Sequence, residues 1–598
     1  MKIKIFYYDE KFSWDKYWVF LGGSFKKLRT IEKKITGPRI KINDFLHECF
    51  EEELQNYLEW TESQRTHLND SVYWWMTELA GRNTANSNFF LYICQIKALI
   101  KILDKSKENE ILIVCDDILL IQTIIKNLNH ISIKKSNLLK FKIFKNTFSH
   151  YFKFLRNLLI SIIDLVIRGI STKITLKNKN LPKGNICLVH QYAEIDSLKN
   201  DKNFKTRYFP YLKEFFFKEK IDLYSLTWFS PFRSKKIKAF KKIRENNFFI
   251  PEDWLNFNDY IIVIKNFLKV KLSFEIVSQY PDLDISYLIL REKRIYLEHI
   301  HYNLRFWTYL PSLKKWVKNC NSLICIDHYE NMIFEVALIA AARELNIKTK
   351  IIGYHHTLSS KEFVGWHSLD SEWSSKFKPD YVMSLGSIST KMLTEQGVPK
   401  NRIIEGAALR YNNLLIKKKT IKKKNYILVP LSHVKDSSLE LITAIKKLSK
   451  KLEKTEYKFI IKPHPNLDIS KVLNTNELSK LSNNISISKN DLDSLLDECL
   501  LTIFMSTGAA YSAALNGNIV LNLRSELNLM DNYLDIFKKD FKFTDANSLN
   551  TIEKILIEFI NDDKKVEEYA LEFERLSKHL ISGMNIVNDT SLSKFIQV

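Results

Sequence analysis

The chain has 598 residues, 45% hydrophobic and 13% aromatic, enough to fill the cores of about four domains at roughly 150 residues each, which excludes a disordered or fibrous chain. Its 91 Lys and Arg against 68 Asp and Glu leave a net charge of +23, which predicts attraction to something anionic: nucleic acid, acidic lipid headgroups or a phosphorylated substrate. Part of that surplus reflects a general richness in Lys, Ile and Asn. The seven cysteines (Cys49, Cys94, Cys115, Cys187, Cys320, Cys325, Cys499) form no C-x-x-C pair, so neither a disulfide framework nor a structural zinc site is indicated.

In chain order, MKIKIFYY (1–8) and NEILIVCD (109–116) read as strands of an N-terminal α/β lobe over residues 1–150. Asp9 and Glu10 interrupt the apolar run that a signal peptide needs, so a cytoplasmic location is expected. Residues 134–156 carry seven Lys or Arg and no acid, with Phe141, Phe144, Phe148, Tyr151 and Phe152 on one helical face. Two readings stand: an interfacial segment bound to an anionic membrane surface, or a basic connecting helix whose rings are ordinary core. The apolar stretch 154–170 is broken by Arg156, Asp164 and Arg168, short of the roughly 20 apolar residues that span a bilayer. A second basic run, RSKKIKAFKKIR (233–244), favours the membrane. No nucleic acid is expected, because no RNA-recognition, KH or zinc-finger pattern accompanies these residues.

Strands are expected at 184–190 and 220–229, and then at 322–327, 348–354, 381–386 and 402–408, alternating with helical patterns as in a parallel sheet of βαβ units. KKKTIKKK (417–424) reads as a solvated linker. A second alternating block has strands at 425–432, 457–463, 484–489, 500–505 and 518–524. The expected division is a lobe at 1–150 and Rossmann-like domains at 151–416 and 425–598.

Ligands of such sheets bind beyond the carboxyl ends of strands, so polar residues there are the candidates. Strand 322–327 runs into Asp327 and Glu330, candidate general bases; strand 348–354 runs into His355 and His356, and the loop after strand 402–408 carries Arg410, candidate acceptor contacts. In FIIKPHPN, Lys462 precedes His464, which Pro463 and Pro465 hold rigidly; in LLTIFMSTGAA, Ser506, Thr507 and Gly508 open a helix. Together they suit a phosphate whose charge grows as a leaving group departs. The D-x-D pairs Asp491/Asp493 and Asp282/Asp284 read as a helix cap and a turn. P-loop, dinucleotide-binding and zincin motifs are absent.

K-P-H-P followed by S-T-G-A resembles the His-Pro and Ser/Ser-Thr motifs of bacterial GT-B glycosyltransferases that use CMP-activated sugars, the sialyltransferases and Kdo transferases. The run from SLICIDHYEN through GYHHT to EGAALRY also resembles bacterial surface-carbohydrate biosynthesis proteins. Residues 322–524 carry the resemblance. It implies two Rossmann-like domains facing across a cleft, with His464, Ser506 and Thr507 binding the CMP phosphate beside Lys462, Pro465 and Gly508. It further implies metal-independent transfer of a sialic-acid-like sugar or Kdo to a capsule or lipopolysaccharide acceptor, free or lipid-linked. The enzyme would work on the inner face of the cytoplasmic membrane, with no cofactor beyond the nucleotide-sugar co-substrate. The family's acidic-acidic-glycine base motif is missing, so Asp327 and Glu330 rest on strand-end position alone. Two alternatives are a teichoic-type CDP-glycerol or CDP-ribitol phosphotransferase and a non-catalytic, membrane-associated scaffold with this fold.

Overall fold

The computed structural model describes residues 2–10, 13–128, 132–135, 137–175, 181–192, 208–228, 248–272, 275–416, 424–473, 481–541 and 546–597. The basic run 233–244 and linker residues 417–423 lie outside them. Three sheets, parallel throughout, organise the chain.

The first holds β1 (Lys2–Tyr7), β2 (Trp18–Leu21), β3 (Arg39–Ile40), β4 (Glu110–Cys115) and β5 (Ser132–Lys135) in the order 3-2-4-1-5. Both faces are covered, so its central strands are continuous apolar runs, as in Ile111 to Val114, all buried. β2 is absent from the sequence expectation because its four residues are all buried and show no alternation.

The second sheet has the order 14-13-12-11-6-7-8. It contains β6 (Gly184–Tyr192), β7 (Asp222–Trp228), β8 (Phe248–Phe249), β11 (Cys320–His328), β12 (Lys348–Tyr354), β13 (Tyr381–Ser384) and β14 (Ile403–Glu405). A hairpin of β9 (Gln279–Tyr280) and β10 (Leu283–Asp284) stands apart, with Asp282 in its turn at φ 58°. The third sheet has the order 17-16-15-18-19-20, from β15 (Lys424–Pro430), β16 (Lys458–Lys462), β17 (Ile485–Ile487), β18 (Cys499–Phe504), β19 (Ile519–Leu523) and β20 (Ala546–Asn547). Two Rossmann-like units with an additional N-terminal α/β lobe are thus the architecture. Residue 150 falls inside the helix Asn137–Thr175, so the chain leaves the first sheet along a helix. Asp491 caps the helix Leu492–Glu498, accepting the Ser494 N–H at 2.9 Å.

All seven thiols are buried and unpaired: Cys49, Cys94 and Cys115 in the lobe, Cys187, Cys320 and Cys325 in the second unit, Cys499 in the third.

The lobe is fastened to the second unit by a buried ion pair. Arg82, 2% exposed, closes the short helix Glu78–Gly81 at φ 51° and donates to both Glu372 carboxylate oxygens at 2.8 Å, to His367 O at 2.9 Å and to Thr61 Oγ1 at 3.1 Å. Lys378 Nζ stands 3.3 Å from the same carboxylate. Burial opposes ionisation of Glu372, yet the two cations hold its carboxyl down at about 2. Removing one member leaves the others charged in a dry site. Arg82→Met is therefore expected to cost about 3–5 kcal/mol in urea unfolding; an unchanged midpoint would show that the pair does not hold the lobe.

Candidate active site

The carboxyl ends of the second and third sheets face each other across a cleft of about 550 Å³. The second sheet supplies His190, His328, Glu330 and His356; the third supplies His433, His464 and Tyr533. Asn83 and Asn86 of the lobe also line it, just after the pinned Arg82. Asn83 Nδ2 also donates to Glu330 O at 3.4 Å.

Glu330 stands two residues beyond β11, with its carboxylate 3.4 Å from His356 Nε2 and 30% of its side chain exposed. Its backbone N–H donates to both carboxylate oxygens of Glu335 at 3.1 Å, which fixes the loop. Burial, and then the negative charge of Asp327, push the Glu330 carboxyl up to about 7 against the pull of Arg410. A carboxyl poised there exchanges its proton at neutral pH, the property of a general base.

Asp327 does not line the cleft. It is buried, with Oδ1 accepting the His328 N–H at 2.8 Å and Oδ2 3.0 Å from His190 Nδ1. Burial raises the Asp327 carboxyl against the pull of the adjacent His190, whose Nε2 stands 3.4 Å from the Tyr309 hydroxyl. Asp327 therefore acts on the cleft through His190. The two meet because Val189 pairs with Ile326 in register. Sequence reasoning missed His190, although it stands at the end of a strand that had been found.

His355 and His356 part company. His355 is buried behind the cleft, its ring edge-on to Trp366 at 4.2 Å and its Nδ1 2.7 Å from Ser389 Oγ; burial lowers its pKa to about 3. His356 faces the cleft. Arg410 lies behind the lining, its guanidinium 5.9 Å from the Tyr208 ring centre, and reaches the site by its charge on Glu330 and His328.

On the opposite wall, His464 Nδ1 accepts the Asn466 N–H at 3.1 Å, so the neutral ring carries its proton on Nε2 as a donor. Its ring lies 5.7 Å from that of His433, which the sequence reading did not single out. Burial lowers the His433 pKa, keeping it neutral. Leu431 N–H donates to Lys462 O at 2.9 Å and sets the two strand-end loops side by side. Lys462 and Pro465 flank His464 without lining the cleft. Ser506 adopts φ 52° as its N–H donates to Asp531 O at 3.0 Å. The turn it forms with Thr507 and Gly508 borders the cleft at Thr357: a Cβ on Gly508 would lie 3.9 Å from Thr357 Oγ1. Among the described lining residues five are histidines and none is Lys or Arg.

No family model and no curated protein matches the chain. Some solved structures overlap it. The S. aureus MnaA–UDP structure does so at TM-score 0.36 with 11% identity, over 69% of this chain and 95% of that one. A UDP-GlcNAc 2-epimerase of Methanocaldococcus jannaschii with UDP-GlcNAc and UDP overlaps at 0.34 and 12%, over 69% and 98%. The glycosyltransferase SnogD of Streptomyces nogalater overlaps at 0.36 and 11%, over 70% and 100%. Overlaps of this depth leave function to the residues of the cleft.

The Glu330 carboxyl lies above its ordinary 4.5, so its proton favours the folded state; that stability is whole below about 4.5 and is lost as the pH rises through about 7. Glu330→Gln keeps a neutral side chain throughout. Its melting temperature is expected to gain on the wild type between pH 5 and pH 8. A constant difference across that range would mean an ordinary, low carboxyl pKa.

Proposed function

We propose that the chain is a GT-B glycosyltransferase that moves a sialic-acid-like sugar or Kdo from a CMP-linked donor to a surface-glycan acceptor, without a metal. The observation that carries this reading is the facing of Glu330 and His356 on one wall by His433 and His464 on the other. In the reaction an acceptor hydroxyl gives its proton to Glu330 as its oxygen bonds to the anomeric carbon. The bond from that carbon to the phosphate oxygen breaks, and CMP leaves with the electron pair. The His464 Nε2–H donates to the phosphate as its charge grows, with His433 beside it. His190, oriented by Asp327, and His356 hold the acceptor, and Ser506 and Thr507 border the donor. The acceptor side is assigned to residues 151–416 and the donor side to 425–598.

A panel of CMP-Kdo, CMP-nonulosonates, CDP-glycerol, CDP-ribitol and UDP-GlcNAc, scored for hydrolysis and transfer, tests the reading. Turnover of a CMP-sugar is expected, and His464→Ala should lower it by about 10²–10³ while the fold survives. Turnover of CDP-polyols alone would make the chain a phosphotransferase. Nucleotide binding without turnover of any donor would make it a scaffold.

A further inference from the structure

The helix Asn137–Thr175 is built inside out. In its second half most of the side chains turned toward the protein are polar: Ser161, Arg168, Ser171, Thr172 and Thr175 are buried, with Leu165 the apolar one among them. Arg168 is held by Asp164 at 2.8 Å, and the Thr172 and Thr175 hydroxyls donate to carbonyls of their own helix. The outward side chains are apolar, among them Leu155, Leu159, Ile163, Ile170 and Ile174, with Leu159 61% and Ile174 63% exposed. A helix on a water-soluble surface has the opposite arrangement. The first half continues the same stripe with Phe141, Phe144, Phe148 and Phe152, about 64–72% exposed. Steps of three and four residues keep the stripe on one face from Phe141 to Ile174, about 51 Å of the 39-residue helix.

A second helix lies alongside this one. A Cβ on Gly169 would lie 2.3 Å from the Tyr260 hydroxyl, so the glycine lets the helix Phe257–Leu272 approach closely. Phe257 and Ile261, either side of Tyr260, are 78% and 52% exposed there.

We propose that this face lies in the headgroup region of an anionic bilayer, parallel to its plane. Charge selects this occupant over a second copy of the chain. Lys145, Lys153, Arg156 and Lys173 are exposed along the stripe, and the single acid in residues 137–175 is Asp164, already paired with Arg168. Two copies meeting on this face would oppose cation to cation, whereas acidic headgroups neutralise them. Among the described residues no helix is long and apolar enough to cross a membrane, so the contact is interfacial. The inference is independent of the catalytic reading.

Co-sedimentation of the full chain with vesicles of phosphatidylcholine and phosphatidylglycerol in equal parts, and with phosphatidylcholine alone, tests it. Binding to the mixed vesicles is expected, weakened by salt. Lys145→Gln, Lys153→Gln and Arg156→Gln together should weaken it about 100-fold. Phe144→Ser, Phe148→Ser and Phe152→Ser together should abolish it at every salt concentration. Both triples change exposed side chains, so circular dichroism and the melting temperature should match the wild type. The proposal is overturned if the wild type ignores mixed vesicles at low salt, or if either folded triple binds them undiminished. A lipid-free dimer that the aromatic triple dissociates would overturn it in favour of self-association.

Discussion

A carboxylate enclosed by two cations, Glu372 between Arg82 and Lys378, is the constraint on which the cleft depends. Such an ion pair contributes little net stability, because desolvation offsets much of the attraction, but it specifies position strongly. Asn83 follows Arg82 directly and Asn86 comes four residues after it, so this guanidinium helps to set where the lobe meets the second sheet, together with contacts such as Ser375 to Asp70 and Thr84 to Glu362. Gly81 adds to this: a Cβ there would lie 2.5 Å from Asn331 O, one residue from Glu330. The lobe is a wall of the site rather than an appendage.

Within the cleft, burial assigns protonation by residue type. It disfavours charge, raising a carboxyl and lowering an imidazole, so Glu330 approaches neutrality while His328 falls to about 3. On the opposite wall burial lowers His433 as well, so a proton acceptor on one side faces an uncharged imidazole on the other. No lysine is needed to create that asymmetry, because hydrogen bonds, such as that of Asn466 to His464, select the tautomer.

Much of the fold was legible in the chain, since buried parallel strands are runs of β-branched residues; the strand expected at 348–354 is Lys348–Tyr354, its last four residues buried. Strands such as Trp18–Leu21 were too short to stand out from loops. The site was legible only in part. His464 could be read from its own two prolines, whereas His190 and His433 acquire meaning from neighbours 137 residues and 31 residues away, Asp327 and His464. Adjacent residues at a strand end point opposite ways, and sequence alone could not say that His356 rather than His355 enters the cleft. The rings of 141–152 were equally visible as a stripe, but only the packing of the rest of the helix shows that the stripe faces outward.

The seven sequestered thiols give the molecule an internal gauge of its own opening. Burial pushes the Cys49 and Cys320 thiols up to about 11 and Cys499 up to about 12, so the nucleophilic thiolate is scarce while the chain is closed. Each unit holds at least one such group and none shares it with another. Capture by a thiol reagent, residue by residue, thereby reads the breathing of each sheet separately, in the folded chain and without a label being introduced.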